Sequence, residues 1–230
     1  MKSLVTVKNA REAETVSEFD PDIVDIKNPD EGSLGAPSPS TLESIMDVLP
    51  EDRAVSVAVG DVPDLPGTVG MAVQGASQHG PEYVKVGLKG PRTKEDAVNL
   101  MRVAAEASGE NQSIVLAGYA DYREIDGVSL LDIPDVAVES GVDGVMVDTA
   151  VKGEGNLFEH ADREVLKKFV SKSSDRGFFT AAAGSLSPED VGIVRDIGFD
   201  VIGVRGAICS GDSRSEAIDS RKLEEFLEHI

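Results

Sequence analysis

Tryptophan is absent from this chain of 230 residues, and aromatics as a whole make up only 4% of it. A core must therefore be built from Val, Ile, Leu and Ala, small aliphatics that suit parallel strands covered on both faces. Cysteine occurs once, as Cys209, which excludes an intrachain disulfide framework and a Cys-based zinc site and fits a reducing compartment. A small buried hydrophobe is its simplest role. The three histidines, His79, His160 and His229, are scattered over a helix end, a loop and the carboxyl terminus, so neither a metal nor a cofactor is expected. No apolar run approaches the roughly 20 residues that a membrane span needs. The opening residues MKSLVTVKNA lack the apolar stretch of a signal peptide, so a cytoplasmic location is expected.

Positive charge is also scarce. Twenty-two basic residues stand against 42 acidic ones, a net charge of −20, which repels nucleic acid backbones and anionic membranes at long range. Neither is an expected partner. Such acidity serves solubility, or fits a salt-rich cytoplasm in which the screening length shrinks from about 8 Å towards about 3 Å.

What is present is a repeated unit. Runs rich in β-branched residues recur eight times with amphipathic segments between them. The spacing predicts strands at Ser3 to Val7, Ile23 onward, Ala54 to Gly60, Tyr83 to Leu88, Ser113 to Ala120, Asp143 to Val147, FFTAAAG and DVIGVRG. Helices are expected from about Ala10 to Phe19, from a cap at Ser40 or Thr41 to Val48, and from Pro66 to Gln78. Further helices are expected from Thr93 to Ala107, Leu131 to Ser140, Arg163 to Arg176, after Ser187-Pro188-Glu189, and from Lys222 to His229. Eight βα units without a break in composition read as a single-domain (β/α)8 TIM barrel over residues 1–230. A doubly wound open sheet is the alternative, because periodicity does not show closure.

The stretch IVDIKNPDEGSLG, Ile23 to Gly35, concentrates the chemistry. Val24 and Ile26 alternate with Asp25 and Lys27, so the charged pair shares one face. The turn residues Asn-Pro-Asp-Glu-Gly leave that pair at the carboxyl end of the strand, where α/β enzymes place their sites. Lys85 on strand four, and Asp148 and Lys152 at the end of strand six, fall at corresponding ends. A lysine near other cations and away from water loses proton affinity, and the neutral amine can attack a carbonyl to give a Schiff base. Carboxylates beside it can shuttle protons. The plainer alternative is that each lysine is a salt-bridge partner. Glycine-rich turns after strands seven and eight, with Gly184, Ser185, Gly203, Arg205 and Gly206, suit a phosphate cradle of backbone N–H groups, to which Arg205 could add a bidentate contact. The segment Asp61 to Thr68 is read as a connector without a catalytic role, and Tyr119, Tyr122 and Arg123 are placed near the mouth by position alone.

The motifs VDIKNPDEGSLGA, VGDVPDLPGTV, YVKVGL, VDTAVKGEGNLF, AAAGS and GVRGAIC together resemble the (5-formylfuran-3-yl)methyl phosphate synthase family of methanofuran biosynthesis, in order and along nearly the whole chain. The resemblance implies a TIM barrel that condenses two molecules of glyceraldehyde 3-phosphate into a furan aldehyde phosphate, releasing phosphate and water. It further implies that Lys27 forms the Schiff base, that Lys85 accepts a proton, and that Asp25, Asp148 and Lys152 complete the charged site. The strand-end argument reaches the same five residues without choosing between Lys27 and Lys85. Two other functions fit the same residues: a class I aldolase for another sugar phosphate, and a non-catalytic barrel that binds phosphorylated metabolites. A phosphorylated small molecule is the expected partner, and a homo-oligomer is possible.

Overall fold

The computed structural model describes residues 1–211 and 213–230. Eight parallel strands close into a barrel in sequence order, β1 to β8. They are β1 (Lys2–Val7), β2 (Ile23–Ile26), β3 (Ala54–Ala58), β4 (Tyr83–Gly87), β5 (Ser113–Tyr119), β6 (Gly144–Asp148), β7 (Phe179–Ala182) and β8 (Val201–Val204). Closure is made by β8 pairing with β1, with Gly203 opposite Leu4. The open-sheet alternative is thereby excluded.

The helices among the described residues are α1 (Ala10–Ser17), α2 (Pro39–Met46), α3 (Pro66–Ser77), α4 (Lys94–Glu106), α5 (Ile133–Ser140), α6 (Leu157–His160), α7 (Arg163–Ser174), α8 (Val191–Ile197) and α9 (Ser220–Glu228). Their starts follow capping chemistry. The Asn9, Thr93 and Asp219 side chains accept backbone N–H groups at the mouths of α1, α4 and α9, each cap contributing about 1 kcal/mol. For α2 the cap is Ser38, which accepts from the Thr41 N–H and puts Pro39 in the first turn. The expected cap at Ser40 or Thr41 is therefore corrected by two or three residues, because proline favours the first helical position. The short α6 was not expected from periodicity. It is held by a reciprocal capping box between Asn156 and Glu159. No helix among the described residues is long and apolar enough to cross a membrane.

Strand alternation sorts the core into two layers. Val5, Val24, Ile26, Val57, Val84, Val86, Leu116, Val145 and Ile202 point outward and pack under the helices. Leu4, Ile23, Ala58, Val115, Ala117, Met146, Ala181 and Val201 point into the barrel. Several of the inner residues are small, which leaves space inside for long polar side chains. A cavity of about 460 Å³ opens on the amino-terminal side, between Phe179, Tyr83, Ser56 and the stem of Lys85. At the opposite end the strands deliver Asp25, Lys27, Lys85 and Asp148, all of them buried.

Candidate active site

Each charged residue reaches the barrel axis through strand geometry. Asp25 pairs in register with Ser56 of β3, and Lys85 of β4 pairs with Ala58, so both lie on inward-facing positions, with β3 between them. Lys27 follows β2 and continues its inner face, its N–H bonded to the Val7 carbonyl at 3.2 Å. Asp148 is the last residue of β6, whereas the sequence pattern had placed it just beyond the strand. Lys152, in the turn four residues later, folds back and donates to Asp148 Oδ1 at 2.7 Å and to Thr149 Oγ1 at 3.0 Å.

Two ion pairs flank Lys27. Lys85 Nζ lies 2.6 Å from Asp25 Oδ1, and both side chains are at most 2% exposed. Neither atom has a well-aligned hydrogen bond among the described residues, so charge rather than bond direction holds that contact. The other oxygen of Asp25 accepts from Thr6 Oγ1 at 2.8 Å. Asp148 is gripped by Lys152, by the Thr149 N–H at 2.7 Å and by Ser33 Oγ at 3.1 Å. Burial alone would raise its carboxyl, but Lys152 and Lys27 outweigh that and hold it at about 2.

Lys27 is different. Burial strips water from its ammonium, and although Asp148 and Asp25 partly compensate, the charges of Lys85 and Lys152 oppose it, so the amine is lowered to about 7. Among the described residues no carboxylate comes within ion-pairing distance of its Nζ. A buried amine near 7 is about half neutral at neutral pH, roughly a thousandfold more free amine than an ordinary lysine supplies. The two lysines thus differ in a way that the strand pattern did not show: Lys85 is paired with a carboxylate and Lys27, among the described residues, is not.

These side chains, Lys85 excepted, line a cavity of about 620 Å³ together with Gly184, Ser185, Gly203, Arg205 and Gly206. Gly184 and Ser185 both have positive φ, 114° and 53°, which folds the β7 loop back toward the opening. Gly206 begins a 3-10 turn, Gly206–Ile208, whose first N–H groups have no partner within the turn. Among the described residues no group of three or more His, Cys, Asp or Glu side chains could hold a metal ion.

Arg205 requires a correction. Its side chain is 4% exposed and forms a bidentate pair with Glu12 of α1, at 2.5 and 3.1 Å. Nη1 also donates to the Thr6 carbonyl, Nη2 to the Glu216 carbonyl and Nε to the Arg214 carbonyl, at 3.1, 2.8 and 2.8 Å. A guanidinium has five N–H donors, and all five are used. The anion that Arg205 grips is Glu12, so it has no donor left for a phosphate.

The site also contains braces that sequence reasoning missed. Asp61, assigned to a passive connector, accepts the Ser33 and Leu34 N–H groups at 2.7 and 3.2 Å and the Tyr119 hydroxyl. Burial and then the Asp61 charge push the Tyr119 phenol well above its usual range. A side chain at Gly87 would run into the Tyr119 hydroxyl and come within 2.9 Å of Asp61 Oδ1, so glycine is required there. Asp121 accepts the Ala150 and Val151 N–H groups, both at 2.8 Å, and so shapes the loop that carries Lys152. Both carboxylates stand just past strand ends in the sequence, the same signal that identified Asp148.

A family model describing 4-HFC-P synthase matches residues 3–227 of the chain. Curated relatives described as (5-formylfuran-3-yl)methyl phosphate synthase are similar from end to end. One from Methanopyrus kandleri is 46% identical, covering 97% of this chain and 98% of its own. Another from Methanocaldococcus jannaschii is 40% identical, covering 99% and 98%. Among solved structures, phosphoribosyl anthranilate isomerase from Thermus thermophilus superimposes with a TM-score of 0.66 at 14% identity, covering 100% of this chain and 98% of that one. The 3-hexulose-6-phosphate synthase from Salmonella typhimurium does so at 0.65 and 19%, covering both chains fully; at such identities the likeness is one of fold. With a family model spanning nearly all of its length and relatives this similar throughout, the chain belongs to the 4-HFC-P synthase family.

Proposed function

We propose that this chain condenses two molecules of glyceraldehyde 3-phosphate to (5-formylfuran-3-yl)methyl phosphate, with loss of phosphate and water, through a Schiff base on Lys27. The observation that carries the reading is the buried Lys27 amine, unpaired among the described residues and lowered to about 7 between the Lys85–Asp25 and Lys152–Asp148 pairs. Lys27 attacks the aldehyde carbon of one triose phosphate and water leaves, giving an imine. The Lys85–Asp25 pair, whose carboxylate lines the cavity beside Lys27, takes the proton from the carbon beside that imine, and the resulting enamine attacks the aldehyde of the second triose. Elimination of one phosphate, ring closure and dehydration follow, with Asp148 and Lys152 moving protons and balancing charge. The fixed ion pairs need little reorganisation as charge develops. A reducing cytoplasm suits this chemistry and the single buried Cys209.

Incubation with glyceraldehyde 3-phosphate alone tests the reading. A conjugated furan aldehyde absorbs in the near ultraviolet, whereas a simple aldol adduct does not. Borohydride reduction in the presence of substrate should add one adduct at Lys27, and Lys27→Ala should abolish it. Trapping that persists at unchanged stoichiometry in that variant would move the nucleophile elsewhere.

A further inference from the structure

Arg214 lies in the loop after β8 and lines the same cavity as Lys27 and Lys152. Four cationic side chains contribute to that lining, and three have other duties. Lys27 is the free amine, Lys152 is bonded to Asp148, and the guanidinium of Arg205 is saturated. Arg214 donates from Nη2 to the Gly32 carbonyl at 2.7 Å, while its buried Nε has no partner among the described residues. Burial lowers its proton affinity; Asp148, Asp61 and Asp30 counter that without pairing with it among the described residues, and Arg205 adds to it. A buried guanidinium donor without an acceptor is destabilising unless something fills the gap.

The saturated Arg205 has a use in this arrangement. Two of its five donors hold the carbonyls of Arg214 and Glu216. The loop is fastened further by Ser210 N–H to the Ala217 carbonyl at 2.8 Å and by the Ser215 hydroxyl to Asp30. The Glu12–Arg205 pair therefore fixes the backbone from which Arg214 reaches the cavity that Gly184 and Ser185 also line.

We infer that Arg214, not Arg205, is the side chain that grips the phosphate of the sugar-phosphate substrate, with Nε and a terminal nitrogen forming a two-pronged contact to its oxygens. This deepens the proposed function, since it assigns the specificity for a phosphorylated aldehyde over a neutral one. Fork-shaped donors matched to phosphate oxygens give both strength and orientation.

The test uses the full chain and its Arg214→Gln and Arg214→Lys variants, with thermal unfolding to confirm that each is folded. Titration with inorganic phosphate should saturate the unsubstituted protein, and Arg214→Gln should weaken that binding about 10- to 100-fold, the range for a charge-assisted hydrogen bond. Borohydride trapping at Lys27 should fall by a similar factor with glyceraldehyde 3-phosphate, while trapping with unphosphorylated glyceraldehyde stays within about twofold. Arg214→Lys should recover part of the loss. Phosphate binding that is absent in the unsubstituted chain, or equal in Arg214→Gln, overturns the inference, as does an equal loss of trapping with both aldehydes. If neither aldehyde is trapped but phosphate binding depends on Arg214, the inference stands and the Schiff-base reading falls.

Discussion

Replacing Lys27 with methionine should make the protein more stable at neutral and acidic pH while removing the amine proposed to form the imine. The substitution keeps most of the side chain's unbranched length, short of its terminal nitrogen, and removes the charge. Lys27 is lowered from 10.5 to about 7 in the folded chain, which means the fold disfavours its ammonium. At about 1.4 kcal/mol per pH unit, that interval corresponds to a folding penalty on the order of 5 kcal/mol wherever both folded and unfolded chains are protonated. Between pH 7 and 10.5 the unfolded chain binds the extra proton, so stability rises with pH across that window. The penalty is thus complete below about pH 7, shrinks through the window and vanishes above it. Methionine removes the penalty, but Asp148 loses one of the charges that hold its carboxyl at about 2, which offsets part of the gain. A net gain of roughly 1–3 kcal/mol at pH 6 corresponds to about 3–10 °C in Tm for a chain of this size. Calorimetry or fluorescence-detected unfolding of both proteins from pH 6 to pH 10 measures it. A Tm difference that is absent at pH 6, or that grows with pH, would refute the reasoning.

Other outcomes follow from the same contacts. The rate of borohydride trapping at Lys27 should climb with pH and level off above about 7; a climb continuing toward 10 would show an ordinary lysine. Lys85→Met should lower stability at pH 7 by about 3–5 kcal/mol, because it leaves the buried Asp25 without its ion-pair partner. Adding Asp25→Asn should recover much of that in urea unfolding, and a stable single variant would contradict the buried pair. Asp61→Ala should remove about 1–3 kcal/mol by leaving the Ser33 and Leu34 N–H groups and the Tyr119 hydroxyl without their acceptor. Turnover should fall with it while trapping at Lys27 keeps its pH midpoint, and unchanged turnover would return this segment to a passive connector.

The strands were legible because each is a short β-branched run ending in turn residues, and that pattern survives in every β element. Asp25 and Lys27 were legible for the same reason, since alternation along β2 dictates which way they point. Their division of labour with Lys85 was not, because it depends on desolvation and on charges brought from β4 and β6. Arg205 was misread since its partner Glu12 lies 193 residues away, in an amphipathic helix where a glutamate looks like a surface residue. Arg214 drew no attention because nothing in the sequence around it has a period. Asp61 carried the right signal, a carboxylate just beyond a strand, and was discounted because its surroundings, rich in proline and glycine, resemble a plain linker.

The rim of the barrel is laced together across its loops. The loop after β2 is tied to the loop after β3 by Asp61, to the loop after β6 through Ser33 and Thr149, and to the loop after β8 through Gly32 and Arg214. Asp121 joins the loop after β5 to that after β6. None of this lacing uses the turns that lead from helices into strands at the far end. A new pair of chain ends opened at one of those far turns, with residues 1 and 230 joined by a linker, would therefore leave the rim every tie that surrounds Lys27.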